Sequence, residues 1–341
     1  MTKQVSLKPN LLFYPLRSSA NNFPVGIELR PSHLQEAWDL KDLEQEFELW
    51  TTLNRSFPWA AEIYPDFPWM EAIFECTIRT TKNGYSLYPL DFTALTKKIE
   101  APEVILSSNP WVDTYFDLLG KVSQWVKDIP LALPCFSGPI HLLATLLGKD
   151  ILKGLLSADL RKFEKVMDQI TSIYISLYQR ILDKIKPTPL GYIAGGCFLS
   201  SPKPLLVWKD TYWIEFQHLV PIKSMFYEPL MGRIPSTLFL STPAHALRWL
   251  EPCENCIEVF KGIIVEKKEA NPPWEDLVPL FRMIQASGKT LIMAGPPEME
   301  DWELAQRDLE PENLMVLFYT TSFSEVRFWS KHLLGKNRRG H

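Results

Sequence analysis

The stretch Pro134–Ile170, PCFSGPIHLLATLLGKDILKGLLSADLRKFEKVMDQI, decides the fold. It opens as the end of a short apolar run, breaks at Gly138-Pro139, and continues as helices. The run LALPCFSG (131–138) lacks polar alternation, as expected of a strand covered on both faces. Glycine permits close backbone approach. Proline suits the first turn of a helix, where its missing N–H leaves nothing unpaired. The break therefore starts a helix directly after a buried strand, with the partial positive charge of its N-terminus at the strand's end. A second helix follows in KDILKGLL. From Phe163 to Ile185 the period is clearest: Phe163, Val166, Met167, Ile170, Ile173, Tyr174, Leu177, Ile181 and Leu182 fall on one broad stripe. Lys186-Pro187 ends this helix.

Outward from this stretch, the second half alternates short apolar runs with helical segments. GYIAGGCFL and PLLVWKD are extended. The strand STLFLST precedes the helix AHALRWLEPC, and the strand in CIEVFKGIIVEKKE precedes the helix PWEDLVPLFRMIQASG. KTLIMAG then precedes EDWELAQRD, and NLMVLFYTT precedes SEVRFWSKHLL. Such alternation means parallel strands joined by crossovers. About four units in half the chain predict an α/β fold built as a closed eight-stranded (β/α)8 barrel. Towards the N-terminus, residues 1 to about 30 read as irregular, SHLQEAWDLKDLEQEFELWTTLNRSF as a surface helix, TIRTTKNGYSLYPL as a hairpin, and WVDTYFDLLGKVSQWVKDI as an amphipathic helix. The expected organisation is an N-terminal helical extension (1–55) packed on a barrel (56–335), with a solvated tail (336–341).

Composition sets bounds on function. The chain has 341 residues, 46% of them hydrophobic, which is ample for a large core. A net charge of −4 with mixed signs supplies no basic stripe, so nucleic acid is not an expected partner. No apolar stretch approaches the ~20 residues of a membrane span, and MTKQVSLKPNLLFYPLRSS lacks the apolar core of a signal peptide. Five cysteines, an odd count, fit a reducing cytoplasm.

An ordered series of segments resembles the uroporphyrinogen decarboxylase superfamily. SGPIHLLATLLG, KDILKGLL and SADLRKFEKVMDQI are similar to its glycine-proline turn, apolar helix closing in glycine, short helix and acid-led helix. YPDFPWMEAIFECTIRTTKNGYSLYPL resembles its aspartate loop, helix and hairpin. Asp66 lies at the matching spacing ahead of Glu75, a position where the family usually has glycine. PLLVWKDTYW, FLSTPAHALRWL, GIIVEKKEANPPWEDLVPLFRMI and KTLIMAG follow in family order, so the resemblance covers about residues 24–335.

The resemblance implies two chemistries. One is a cofactor-free decarboxylation of a cyclic tetrapyrrole; the other is a zinc-dependent methyl transfer involving a corrinoid protein. For the first, Asp66 matches the aspartate that holds the pyrrole N–H groups, where a carboxylate in an apolar mouth attracts developing positive charge. The bland alternative is that Asp66 caps the turn before Pro68. FPVGIELRP nominates Arg30 as a guanidinium for substrate carboxylates, against a plain surface arginine. Two departures stand out. Thr145 occupies the place of the family's tyrosine, and VLFYTTSFSE carries no late histidine. For methyl transfer, FLSTPAH lacks the histidine-x-cysteine pair, and Cys253 and Cys256 form a single CENC that cannot close a four-ligand zinc site.

Three further residues are candidates for substrate binding. His141 opens the helix after the break, pointing to ligand or into the wall. Asp210 follows a strand, facing the pocket or capping. His245 starts the helix after STLFLST. Trp59, Trp69, Trp208, Trp213 and Trp274 suit an aromatic-lined cavity, or simply a large core. The resulting expectation is a decarboxylase-like protein for a tetrapyrrole or related anionic small molecule. A corrinoid methyltransferase-like enzyme and a non-catalytic ligand-binding relative are the alternatives, and the resemblance implies homodimers.

Overall fold

The structure, a computed structural model, describes residues 8–17, 24–29, 59–64, 68–81, 84–107, 109–125, 130–189, 191–194, 200–210, 223–247, 259–267, 272–296 and 298–320, together with 325, 328 and 329. Its strands are β1 (Lys8–Arg17), β2 (Pro24–Leu29), β3 (Trp59–Tyr64), β4 (Thr77–Thr81), β5 (Gly84–Tyr88), β6 (Leu131–Ala132), β7 (Phe136–Ser137), β8 (Tyr192–Ile193), β9 (Ser200–Ser201), β10 (Leu205–Lys209), β11 (Thr237–Pro243), β12 (Gly262–Glu266), β13 (Thr290–Gly295) and β14 (Leu314–Thr320). Its helices are α1 (Trp69–Ile73), α2 (Phe92–Ile99), α3 (Pro102–Ser107), α4 (Pro110–Trp125), α5 (Pro139–Leu147), α6 (Lys149–Ala158), α7 (Leu160–Lys184), α8 (Glu228–Arg233), α9 (Ala244–Leu247), α10 (Trp274–Ala286) and α11 (Met299–Asp308).

Among the described residues one large sheet has the order β6-β3-β1-β2-β14-β13-β12-β11-β10-β7. From β2 through β14 to β7 every neighbouring pair is parallel, with helices between successive strands. The expected α/β class is therefore present. The closed barrel is not: no hydrogen-bonded pair among the described residues joins β6 to β7, although both belong to the run 131–137 and only Leu133, Pro134 and Cys135 separate them. β1 is antiparallel to both β2 and β3.

Residues 8–17 and 24–29, read from the sequence as irregular, are strands of the main sheet. KPNLLFYPLR hides its strand because two prolines interrupt it, and the pairing with β2 shifts register between Phe13 and Leu16, around Pro15. A bulge is one of the few places where a strand tolerates proline. The expected N-terminal helix (32–57) lies outside the described residues. The hairpin at 77–88 forms as expected, with Thr81 paired to Gly84.

The two faces of the parallel sheet bury different cores. Leu206 and Trp208 of β10 join the large core shared with the helices, where the Trp208 ring centroid lies 5.1 Å from Tyr174 and 5.4 Å from Tyr178 of α7. Leu205 and Val207 belong to a second core with Phe239, Ile264, Ile292, Met315 and Leu317, which contains no helix residue. Side chains alternate along a strand, so this inner face can be followed residue by residue to each strand's C-terminal end.

The stripe expected over 163–182 is the buried face of α7. Asp159 caps this helix by accepting from the Lys162 amide at 3.2 Å. Among the described residues no helix is long and apolar enough to cross a membrane.

Candidate functional site

In open α/β sheets ligands bind beyond the C-terminal ends of the parallel strands. Inner-face parity brings one polar residue to or near that end from each of four adjacent strands. On β10 the inner positions Leu205 and Val207 lead to Lys209; on β11, Phe239 leads to Ser241; on β12, Ile264 leads to Glu266. Cys135 belongs to the inner core and Phe136 to the outer one, which puts Ser137 on the inner face of β7. The register sets Lys209 directly between Ser137 and Ser241.

This arc is joined by polar contacts. Ser241 Oγ donates to Glu266 Oε1 at 2.9 Å, and the Lys209 ammonium stands 4.0 Å from the same oxygen. Ser137 Oγ donates to Glu71 Oε1 of α1 at 3.3 Å. Lys209 keeps 31% of its side chain exposed and Glu266 14%, whereas Ser241 and Glu71 are buried. Burial pushes the Glu71 carboxyl above its ordinary range; its backbone and the Ser137 hydroxyl oppose this by donating to the charged form. Tyr174 Oη donates to the Ser137 carbonyl at 2.5 Å. Complete burial, then the Glu71 and Asp210 charges, drives its phenol far upward, so it stays a neutral donor. The arc therefore sets the Lys209 ammonium in register between two hydroxyls, each of which already donates to a carboxylate.

The structure places the Gly138-Pro139 break against Asp210. This residue follows Lys209, lies on the opposite face and is fully buried. Its Oδ2 accepts from the Ile140 amide at 3.3 Å, at the head of α5. This contact corresponds to the capping one of the two roles open from the sequence. Gly138 has an ordinary φ of −66°, so its need is spatial: a Cβ there would lie 2.3 Å from Asp210 Oδ2.

The other candidates are scattered. His141 is partly buried in the first turn of α5, and its carbonyl accepts from the Thr145 hydroxyl at 2.9 Å. Thr145 directs its hydroxyl into its own helix. His245 is exposed on α9. Trp69, Trp208 and Trp274 are buried in the outer core and do not line the inner face. Asp66, Arg30, Trp213, Cys197, Cys253 and Cys256 lie outside the described residues. Cys76 and Cys135 are buried thiols. Among the described residues no group of three or more histidine, cysteine, aspartate or glutamate side chains is arranged to hold a metal.

Sequence reasoning passed over Ser137, Lys209, Ser241, Glu266 and Glu71. The signal was available in part: Ser137, Lys209 and Glu266 each end a strand on the inward parity, and Ser241 shares that parity two residues before the end of β11.

Comparison with known proteins returns no matching family model, no matching curated protein and no matching solved structure.

Proposed function

We propose that this chain is a uroporphyrinogen decarboxylase-like protein that takes a carboxylate-bearing small molecule, of tetrapyrrole type, at the C-terminal ends of its parallel strands. The single observation that carries the reading is the arc Ser137–Lys209–Ser241–Glu266 over the inner core, a polar rim with one lysine and one glutamate where an α/β sheet binds ligands. The ordered resemblance over about residues 24–335 supplies the ligand class. Glu75 adds support: it stands where the family usually has glycine, and its φ of 57° is in the left-handed region that favours glycine. In the finer form of this reading the sheet closes through the run 131–137 into a barrel of eight like-directed strands with β1 as an added antiparallel strand. Asp66 is then the polar anchor for the pyrrole N–H groups.

A second reading, binding without turnover, is favoured by Thr145, whose hydroxyl is directed to the His141 carbonyl and supplies no acid to a ligand. One experiment separates the two. Purified protein is titrated anaerobically with uroporphyrinogen while tryptophan fluorescence is followed, and the same samples are analysed for loss of carboxyl groups. Saturable quenching with decarboxylated product establishes the enzyme. Saturable quenching without product establishes the binding protein. Absence of binding refutes the tetrapyrrole reading.

A further inference from the structure

We propose that Glu71 and Ser137 form the proton relay of this mouth: Glu71, buried beside the end of β7, supplies a proton that the half-buried Ser137 hydroxyl passes to the ligand. This relay rests on the decarboxylase-like reading, and it names the source of the proton that takes the place of carbon dioxide.

Three observations point to the pair. The first is the place of the acid. All of α1 is buried, and Glu71 is only 3% exposed, yet its Oε1 meets Ser137 Oγ on the inner face at 3.3 Å. Catalytic hydrogen bonds are often long without substrate and tighten in the complex. The second is the lack of a counter-charge. Among the described residues no basic side chain pairs with Glu71, whose partners are its own backbone and Ser137. The groups that feel its charge, the Cys76 thiol and the Tyr174 phenol, are both pushed up and stay neutral. A buried acid without a cation costs the fold, and one held at a ligand mouth is a mark of function. The third is rigidity. Asn109 Nδ2 donates to the Ile73 carbonyl at 2.8 Å and Trp69 Nε1 to the Trp111 carbonyl at 2.9 Å, which hold α1. Tyr174 Oη holds the Ser137 carbonyl at 2.5 Å. Both members of the pair are thus fixed from outside the mouth.

The proton path closes. While Glu71 is charged, the Ser137 hydroxyl donates to it. Burial favours the protonated carboxyl, which donates to Ser137 Oγ instead and frees the serine proton for the ligand. When the bond to the departing carboxylate breaks, its electron pair stays on the ligand carbon and carbon dioxide leaves. That carbon takes the Ser137 proton, Ser137 takes the Glu71 proton, and the Glu71 carboxylate is reprotonated from solvent. Ser137 touches the ligand; Glu71 acts through it.

The test uses full-length wild type, E71Q, S137A and the double variant. E71Q should fold at least as stably as wild type, because it removes the buried acid. Infrared spectra are taken at neutral pH, and kcat and KM for anaerobic uroporphyrinogen decarboxylation are followed across about pH 5 to 9. The expected infrared result is the carbonyl stretch of a protonated carboxyl in wild type, lost in E71Q and shifted in S137A. Wild-type kcat should fall as pH rises through the Glu71 pKa. E71Q and S137A should each lose about a hundredfold or more in kcat with KM little changed, and E71Q should lose that pH dependence. The double variant should be no slower than the slower single one, as for groups that act as a unit. An ionised Glu71 at neutral pH overturns the relay, as does a stretch unmoved in S137A. A wild-type kcat and pH profile in E71Q also overturn it, while the decarboxylase reading stands. If wild type turns over no uroporphyrinogen, the decarboxylase reading falls and the infrared result still decides the pair: a protonated Glu71 coupled to Ser137 retains it, and an ionised one overturns it.

Discussion

Replacing Gly138 by alanine tests how the head of α5 is held. The added Cβ would sit 2.3 Å from Asp210 Oδ2, 2.5 Å from Asp210 Cβ and 2.7 Å from Asp210 Cγ. Contacts this short are not tolerated, and Asp210 Cβ is fixed to the backbone, so rotating the carboxylate alone does not relieve them. The glycine is pinned as well: its amide donates to the Lys209 carbonyl at 2.7 Å, and its carbonyl accepts from the Leu142 amide at 2.8 Å. Overpacking a tight site costs about 1–3 kcal/mol, and losing the Asp210 cap on Ile140 adds about 1 kcal/mol. The expected destabilisation is thus about 2–4 kcal/mol, a large share of a typical ~5–15 kcal/mol. The assay is guanidinium unfolding of wild type, G138A, D210A and the double variant. D210A alone should cost the cap and leave a void. In the double variant the contacts with Oδ2 and Cγ are gone while the 2.5 Å contact with Cβ remains, so the two costs should fall short of additivity by part of the clash, about 1 kcal/mol. A G138A midpoint equivalent to less than about 0.5 kcal/mol of change, or strict additivity in the double variant, would refute the close-approach reasoning.

Other expectations follow from single contacts. Glu71 has a native pKa raised by burial above its ordinary 4.5, so the folded state holds a proton that the unfolded chain releases. Stability should therefore fall as pH rises from about 4.5 through the raised native value; Glu71→Gln should abolish that fall and exceed wild type at neutral pH, as read by urea unfolding across pH 4 to 8. Tyr178 and Tyr174 should behave oppositely on conversion to phenylalanine. Tyr178 Oη is buried with no hydrogen-bond partner among the described residues, so Y178F should be neutral or stabilising, whereas Y174F gives up the bond to the Ser137 carbonyl and should lose about 1 kcal/mol or more. At Glu75, with its φ of 57°, E75G should be more stable than E75A by about 1 kcal/mol in the same assay, although both lose the ion pair with Lys98.

Much of the architecture is legible locally. The stripe from Phe163 to Leu182 is a short-range pattern, and it forms the buried face of α7. The same holds for the alternation that yields β11 to β14 with the helices between them, because each apolar run is short, bounded and long enough for one strand. β1 was hidden since its prolines contradict strand propensity, and only pairing with β2 and β3 on both edges overrides that. The site divides in the same way. Parity along one strand separates Lys209 from Asp210, yet it does not say which face meets helices and which meets the other strands. Tertiary packing settles this by seating Trp208 against Tyr174 and Tyr178, which sends Asp210 to the α5 amides and leaves Lys209 on the inner face. Periodicity by itself determined which residues share a side. Which side became the inner face was decided by burial of the large aromatic surface under α7, since removing that area from water outweighs the placement of any single charge.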